Sequence, residues 1–160
     1  MTDYWLLKSE PSAFSFEDLQ ARPHQTEPWD GVRNYQARNL MRDQMRIGDR
    51  AFFYHSNCEA PGIVGVVSIA SAGYPDPTQF DQQAGHYDPK SSREQPRWFL
   101  VDVHFEHPLQ RLVSLAELRQ HADRLEGFQL LARANRLSVM SVRAAHWHYI
   151  LELAARPRAV

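Results

Sequence analysis

The chain has 160 residues, 43% apolar and 23% charged, with a net charge of −1. Such a length can bury a sizeable core in one domain, and no apolar run approaches a membrane span. A near-neutral chain has no global positive field to announce a generic nucleic-acid binder, and a single cysteine, Cys58, excludes an internal disulfide.

Tyr4 to Lys8 reads as a first strand. The chain opens at once on strand-like MTDYWLLK, which argues against a secretory leader, and the single Cys58 fits a reducing cytoplasm, the expected compartment. Ser15 followed by Asp18 resembles a capping box for a short helix to about Ala21, and Pro23 to Pro28 reads as loop. Tyr35 to Arg46 has helical spacing, with Ala37, Leu40, Met41 and Met45 on one face, and Gly48-Asp49 ends it. Arg50 to Ser56 and Gly62 to Ser71 are β-rich. The segments YPDPTQFD and HYDPKS are proline-punctuated loops. Trp98 to Glu106 alternates apolar and polar residues with the period of a half-buried strand. Ser114 and Glu117 read as a capping box for a helix through about Gln120. Leu137 to Val142 reads as a last strand or extended segment, and Ser141 can cap a final helix with Trp147, Ile150, Leu151 and Ala154 on one face. Strands dominate the middle without alternating strictly with long helices. This argues against a doubly wound sheet and for an α+β fold, a small, mostly antiparallel barrel with flanking helices over a single domain.

The segment WDGVRNYQARN, Trp29 to Asn39, combines an indole with carboxylate, guanidinium and carboxamide groups. That mixture suits a planar polar guest: Trp29 offers a stacking face, and Asp30, Arg33, Asn34 and Asn39 offer directional hydrogen bonds. Gly31 permits a turn or a close approach. A well-capped loop with Trp29 in the core is the competing reading. In LLKSEP, a strand ends by presenting Lys8, Ser9 and Glu10, with Pro11 holding Glu10 extended. In FFYHSN, Phe52 to Tyr54 are core-like and His55, Ser56 and Asn57 close a strand; a structural His55 is equally consistent. Of 18 basic residues only Lys8 and Lys90 are lysines. Arginine suits bidentate contacts to phosphates and base edges, although a GC-rich genome gives the same bias. Arg38, Arg42 and Arg46 fall four apart, a stripe that reads as phosphate tracking or as a solvated helix face. Tyr87, on a loop with Asp88 and Lys90, offers a second aromatic wall. No catalytic signature of the common nucleotide-binding or hydrolase types is present, and the pairs His104/His107 and His146/His148 do not share a face, so no metal or cofactor is expected.

The ordered motifs YWLLKSEP, FSFEDL, WDGVRNYQARN, FFYHSN, PGIVG, YPDPTQFD, YDPKS, PRWFLVDV and RLSV resemble those of the EVE domain family, which includes single-domain bacterial members, over about Tyr4 to Leu151. The resemblance implies a PUA-like fold, a small curved β-barrel with helices around it. It also implies kinship with YTH domains and a role in reading a modified base in DNA or RNA, the base leaving its stack to enter a pocket. On this likeness Ser9 lies in the pocket, Trp29 matches the cage tryptophan with Gly31 and Val32 beside it, and Asn34 contacts base edge or backbone. Tyr54, His55, Ser56 and Asn57 run along the floor, and Tyr87 or a neighbour closes the site. Lys8, Glu10, Arg33, Arg38 and Lys90 are the candidate phosphate or polar contacts. The resulting expectation is a non-enzymatic binding module whose partner is DNA or RNA carrying a modified base. No membrane partner is expected. The oligomeric state is not fixed by the sequence, and a monomer is the working expectation. Two alternatives stay open. One is a small enzyme acting on a nucleoside-like or acyl substrate with Ser9, Glu10 and His55. The other is a small-molecule or protein-interaction module using the same cleft.

Overall fold

The computed structural model describes residues 2–157. Its centre is a curled, six-stranded half-barrel sheet in the order β2-β7-β4-β3-β1-β8. The strands are β1 (Tyr4–Ser9), β2 (Thr26–Pro28), β3 (Arg50–His55), β4 (Gly62–Ile69), β7 (Asp102–Ser114) and β8 (Val139–Val142). A separate two-stranded ribbon joins β5 (Tyr74–Pro75) to β6 (Phe99–Leu100). All pairs are antiparallel except β1 with β3, whose ends Ser9 and His55 lie side by side. The helices are α1 (Phe16–Gln20), α2 (Tyr35–Asn39), α3 (Leu115–Gln120) and α4 (Ala144–Ala155). Among the described residues no helix is long and apolar enough to cross a membrane.

Alternate strand positions sort the core into two layers. Trp5, Leu7, Phe53, Val67 and Val103 pack with Phe16, Leu19, Ala37 and Met41 from α1 and the α2 region. Leu6, Phe52, Tyr54, Val66 and Val113 pack with Leu118, Trp147 and Ile150 from α3 and α4. β7 is much longer than the alternation over Trp98 to Glu106 suggests, and two register shifts against β4 let it serve both layers. One of these lies at Gly65, where the Phe16 ring occupies the space a side chain would need.

Local chemistry explains the elements and several departures from expectation. The Ser15–Asp18 capping box is present in full. Thr26–Pro28, expected as loop, is an edge strand on β7; its proline is tolerated at a sheet edge, where a missing N–H costs no ladder bond. The helix expected over Tyr35 to Arg46 is α-helical only to Asn39 and continues as a wider π turn over Leu40–Gln44, closed by the Met45 amide on the Leu40 carbonyl. The change of pitch breaks the arginine stripe: Arg38 bonds the Arg97 carbonyl, Arg42 pairs with Asp43, and Arg46 lies beyond the helical turns. Ser114 caps α3, while the Glu117 carboxylate makes a bidentate pair with Arg111. Ser141 does not cap α4. It lies in β8 and accepts from Gln129, and α4 begins three residues later at Ala144.

Candidate functional site

At the open end of β1, on the Trp5–Leu7–Phe53 side of the sheet, lies a cavity of about 540 Å³. Ser9 and Glu10 at the strand exit, Ala13 and Phe14 before α1, Arg22, and Glu27 to Arg33 from β2 up to α2 line it, with Lys8, Ser138 and His86 completing the wall.

Trp29 is delivered to this wall by the β2 edge strand, its amide donating to the Val101 carbonyl at 2.9 Å. The indole is both core and wall. It is only 7% exposed, packs near perpendicular to Phe14 and Phe53, and still borders the hollow. Gly31 follows with φ of +82°, and its missing side chain leaves room for the His86 imidazole, 2.7 Å from where a Cβ would sit. Its amide donates to Asp76 at 2.8 Å.

Asp76 is the buried hub that ties this segment to the long loop before β6. Its carboxylate accepts from the Gly31 and Thr78 amides, the Thr78 hydroxyl and the Arg33 guanidinium. Burial pushes its pKa up, but these donors outweigh burial and hold the carboxyl below its ordinary range. All five N–H groups of Arg33 are committed, to Val32 and His86 carbonyls, Asp76 and Thr78, and the guanidinium also faces the Trp98 ring. Arg33 therefore clamps the His86 loop onto the Trp29 segment. It has no donor left for a phosphate unless one of these bonds is released. Gln79, fully buried, fixes the base of the same loop through the Trp98 amide and the Asp76 and Trp98 carbonyls.

Of the residues singled out in the sequence, the fold brings Lys8, Ser9, Glu10, Trp29, Gly31, Val32 and Arg33 to one cavity. It places the others elsewhere. Asn34 caps α2 by accepting from the Ala37 amide. Tyr54 points into the opposite core layer, because strand alternation puts it on the side of Phe52. His55 accepts the Phe16 amide on Nε2, and burial lowers its pKa. Ser56 holds the chain beside Ser9 through a backbone bond, and Asn57 donates to Glu10 at 2.6 Å. Tyr87 and Lys90 are exposed and outside the lining, where the neighbouring His86 stands instead. Arg38 is spent on Asn39 and Arg97 and lies over Tyr35. Lys8 reaches the cavity wall, but its Nζ stands 5.9 Å from the Tyr54 ring on the other side of the sheet. Ser9 Oγ donates to the Phe14 carbonyl, so Ser9 and His55 hold neighbouring backbone rather than each other. Phe14 and Arg22 carried no signal of their own in the sequence, and Asp76 and His86 join this region only through contacts to Arg33 from more than 40 residues away.

A family model described as EVE domain matches residues 3–153. The chain belongs to the EVE domain family. Thymocyte nuclear protein 1 from Gallus gallus is 46% identical over 94% of this chain and 68% of its own length. Among solved structures, human THYN1 in complex with 5-methylcytosine containing DNA superposes with a TM-score of 0.94 at 42% identity, covering 98% of this chain and all of that one. A Pseudomonas syringae protein gives 0.89 at 44% identity, over 94% and 99% of the two chains. The fold is thus the PUA-like α+β fold that the motifs implied. The EVE relatives also overturn a purely cytoplasmic placement, because the vertebrate ones are named as nuclear proteins. A lone cysteine could not have told the two compartments apart, since both keep thiols reduced.

Proposed function

We propose that this EVE domain is a DNA-binding module that accommodates one modified nucleobase, of the 5-methylcytosine kind, in the cavity walled by Trp29. The observation that carries the reading is an indole held rigidly at the edge of a hollow large enough for a base, within a fold shared with a relative solved on 5-methylcytosine DNA. Cage walls must be stiff to discriminate a group of a few atoms. Here the stiffness comes from the Val101 bond behind Trp29 and the Asp76–Arg33 clamp beside it. Extruding a base costs on the order of a few kcal/mol, and stacking on an aromatic ring returns about 1–3 kcal/mol. The cavity's own cations are paired or turned away, so few phosphate contacts supplement the stack, and binding is weak with a shallow salt dependence.

The test is a titration of single-stranded and duplex oligonucleotides, with and without one 5-methylcytosine, against the wild type and Trp29→Ala. The methylated strand binds more tightly, and Trp29→Ala loses roughly five- to hundredfold in affinity for it. Unchanged base-selective affinity in a folded Trp29→Ala variant removes the cavity from the function.

A further inference from the structure

The acids that line the cavity differ in what they are doing. Glu27 is paired with Arg22 at 3.2 Å, and Glu10 accepts from Asn57. Asp30 also lines the cavity, next in sequence to Trp29, yet among the described residues its carboxylate accepts a hydrogen bond from no other residue. Its backbone is nonetheless fixed from both sides, by its own amide on the Pro28 carbonyl at 3.0 Å and by the Gly31 amide on Asp76. The surroundings work against its charge. The residue is exposed, yet the partial loss of water around its carboxylate raises its pKa first and the nearby Asp76 charge raises it further, against the weaker pull of His86, Arg33 and its own amide. The fold fixes the backbone of this residue, disfavours its charge and leaves its carboxylate open at the cavity with no hydrogen bond from any other residue described, the pattern expected of a group kept for a ligand.

We propose that Asp30 is the specificity-determining residue of the cavity, accepting the exocyclic 4-amine of a cytosine-type base stacked on Trp29. This rests on the reading of the cavity as a base pocket. A carboxylate is an acceptor, so it favours an edge that presents N–H groups. At position 4, 5-methylcytosine presents an amine. Thymine has the same ring and the same 5-methyl group but presents a carbonyl oxygen there, lone pair against lone pair. Shape and stacking cannot separate these two bases; a carboxylate on an anchored backbone can. A site built to bond a polar group rejects the analogue that leaves it unpaired far more strongly than a site that reads size alone.

The experiment uses single-stranded oligonucleotides identical except at one position, carrying 5-methylcytosine, thymine or an abasic site. They are titrated by fluorescence anisotropy against the wild type, Asp30→Asn and Trp29→Ala, with the melting temperature of each protein recorded. The wild type prefers 5-methylcytosine over thymine by roughly tenfold or more. Asp30→Asn erases that preference while keeping its affinity for thymine above that for the abasic strand, and it melts no lower than the wild type. A preference retained in Asp30→Asn, or a variant that melts well below the wild type, overturns the assignment of Asp30 and leaves the base pocket standing. If instead the wild type binds all three strands alike and Trp29→Ala matches it, the base pocket itself is refuted.

Discussion

Two tryptophans on opposite sides of one sheet show how the same residue type acquires different work. Trp147 of α4 is 1% exposed and sandwiched, with Phe52 stacked at 3.9 Å and Tyr4 at 4.6 Å between ring centroids. Trp29 is nearly as buried, but its ring contacts are near-perpendicular ones to Phe14 and Phe53, and a hollow lies beside it. The difference follows from what covers each layer. A 12-residue helix seals the Trp147 side, whereas α1 and α2, of five residues each, leave the end of β1 uncovered. Burial alone therefore does not separate a core ring from a wall; the completeness of the layer above it does.

The comparison is broken most directly by truncating each ring. Trp147→Ala removes two stacked contacts in a sealed layer, and chemical denaturation is expected to show a loss of about 3–5 kcal/mol. Trp29→Ala is expected to cost clearly less in the same titration, because part of its surface already faces a hollow, while it costs the protein its ligand. Equal losses would make Trp29 an ordinary core residue. Two aspartates on the Trp29 side sharpen the contrast. Asp49 is buried and accepts from the Trp5 indole and the Arg46 and Asp3 amides, so Asp49→Ala strands buried donors and costs about 2–3 kcal/mol. Asp30 supports nothing comparable. Its carboxyl pKa is raised in the fold, so its ionisation works against folding as pH rises through the carboxylate range, and Asp30→Asn is expected to raise the melting temperature at pH 7. Arg33→Lys comes next. One ammonium cannot replace five directed donors, so about 1–2 kcal/mol of stability goes and the His86 loop loosens, read as broadened His86 resonances.

Much of this architecture was readable in the chain because it is written locally. The Ser15 capping box, the β3 and β4 runs and the alternation of Val101, Val103 and Phe105 each follow from neighbours in sequence. The ordered motifs reached further and carried the family. What stayed hidden depends on distant pairing. β2 is a strand only because β7 offers an edge, and the tightening role of Arg33 exists only because Asp76 and His86 arrive from more than 40 residues away. The family resemblance ran Tyr54 to Asn57 along one pocket floor, yet alternation keeps Tyr54 in the core, as its apolar neighbours in sequence suggest, and the bond to Phe16 gives His55 a structural task. Asn34 looks like a ligand contact in sequence for the same reason it makes a good cap, a short carboxamide before a helix.

The smallest expected effect concerns two histidines, one on each side of the sheet. Burial lowers the pKa of both His55 and His146, with the nearby Arg143 lowering His146 further. A depressed pKa in the fold means that the unfolded chain takes up a proton first. The stability these rings contribute is therefore full above the ordinary imidazole range near pH 6.5 and is lost as pH falls through and below it. His55 has the clearer structural consequence. Its Nε2 accepts the Phe16 amide, and a proton there would set donor against donor and release the start of α1. His146 is buried with no partner on Nδ1, so protonation exposes a charge to an apolar layer without breaking an anchor. The melting temperature is expected to hold steady above about pH 7 and to decline between pH 6.5 and 5.5. Protonation of Asp30 acts in the opposite direction in the acid range and blunts the decline there. In His55→Gln the fall is shallower, and the Phe16 amide resonance no longer moves with a histidine titration. A melting temperature constant from pH 7.5 to 5.5 would show that neither ring is as enclosed as its surroundings imply.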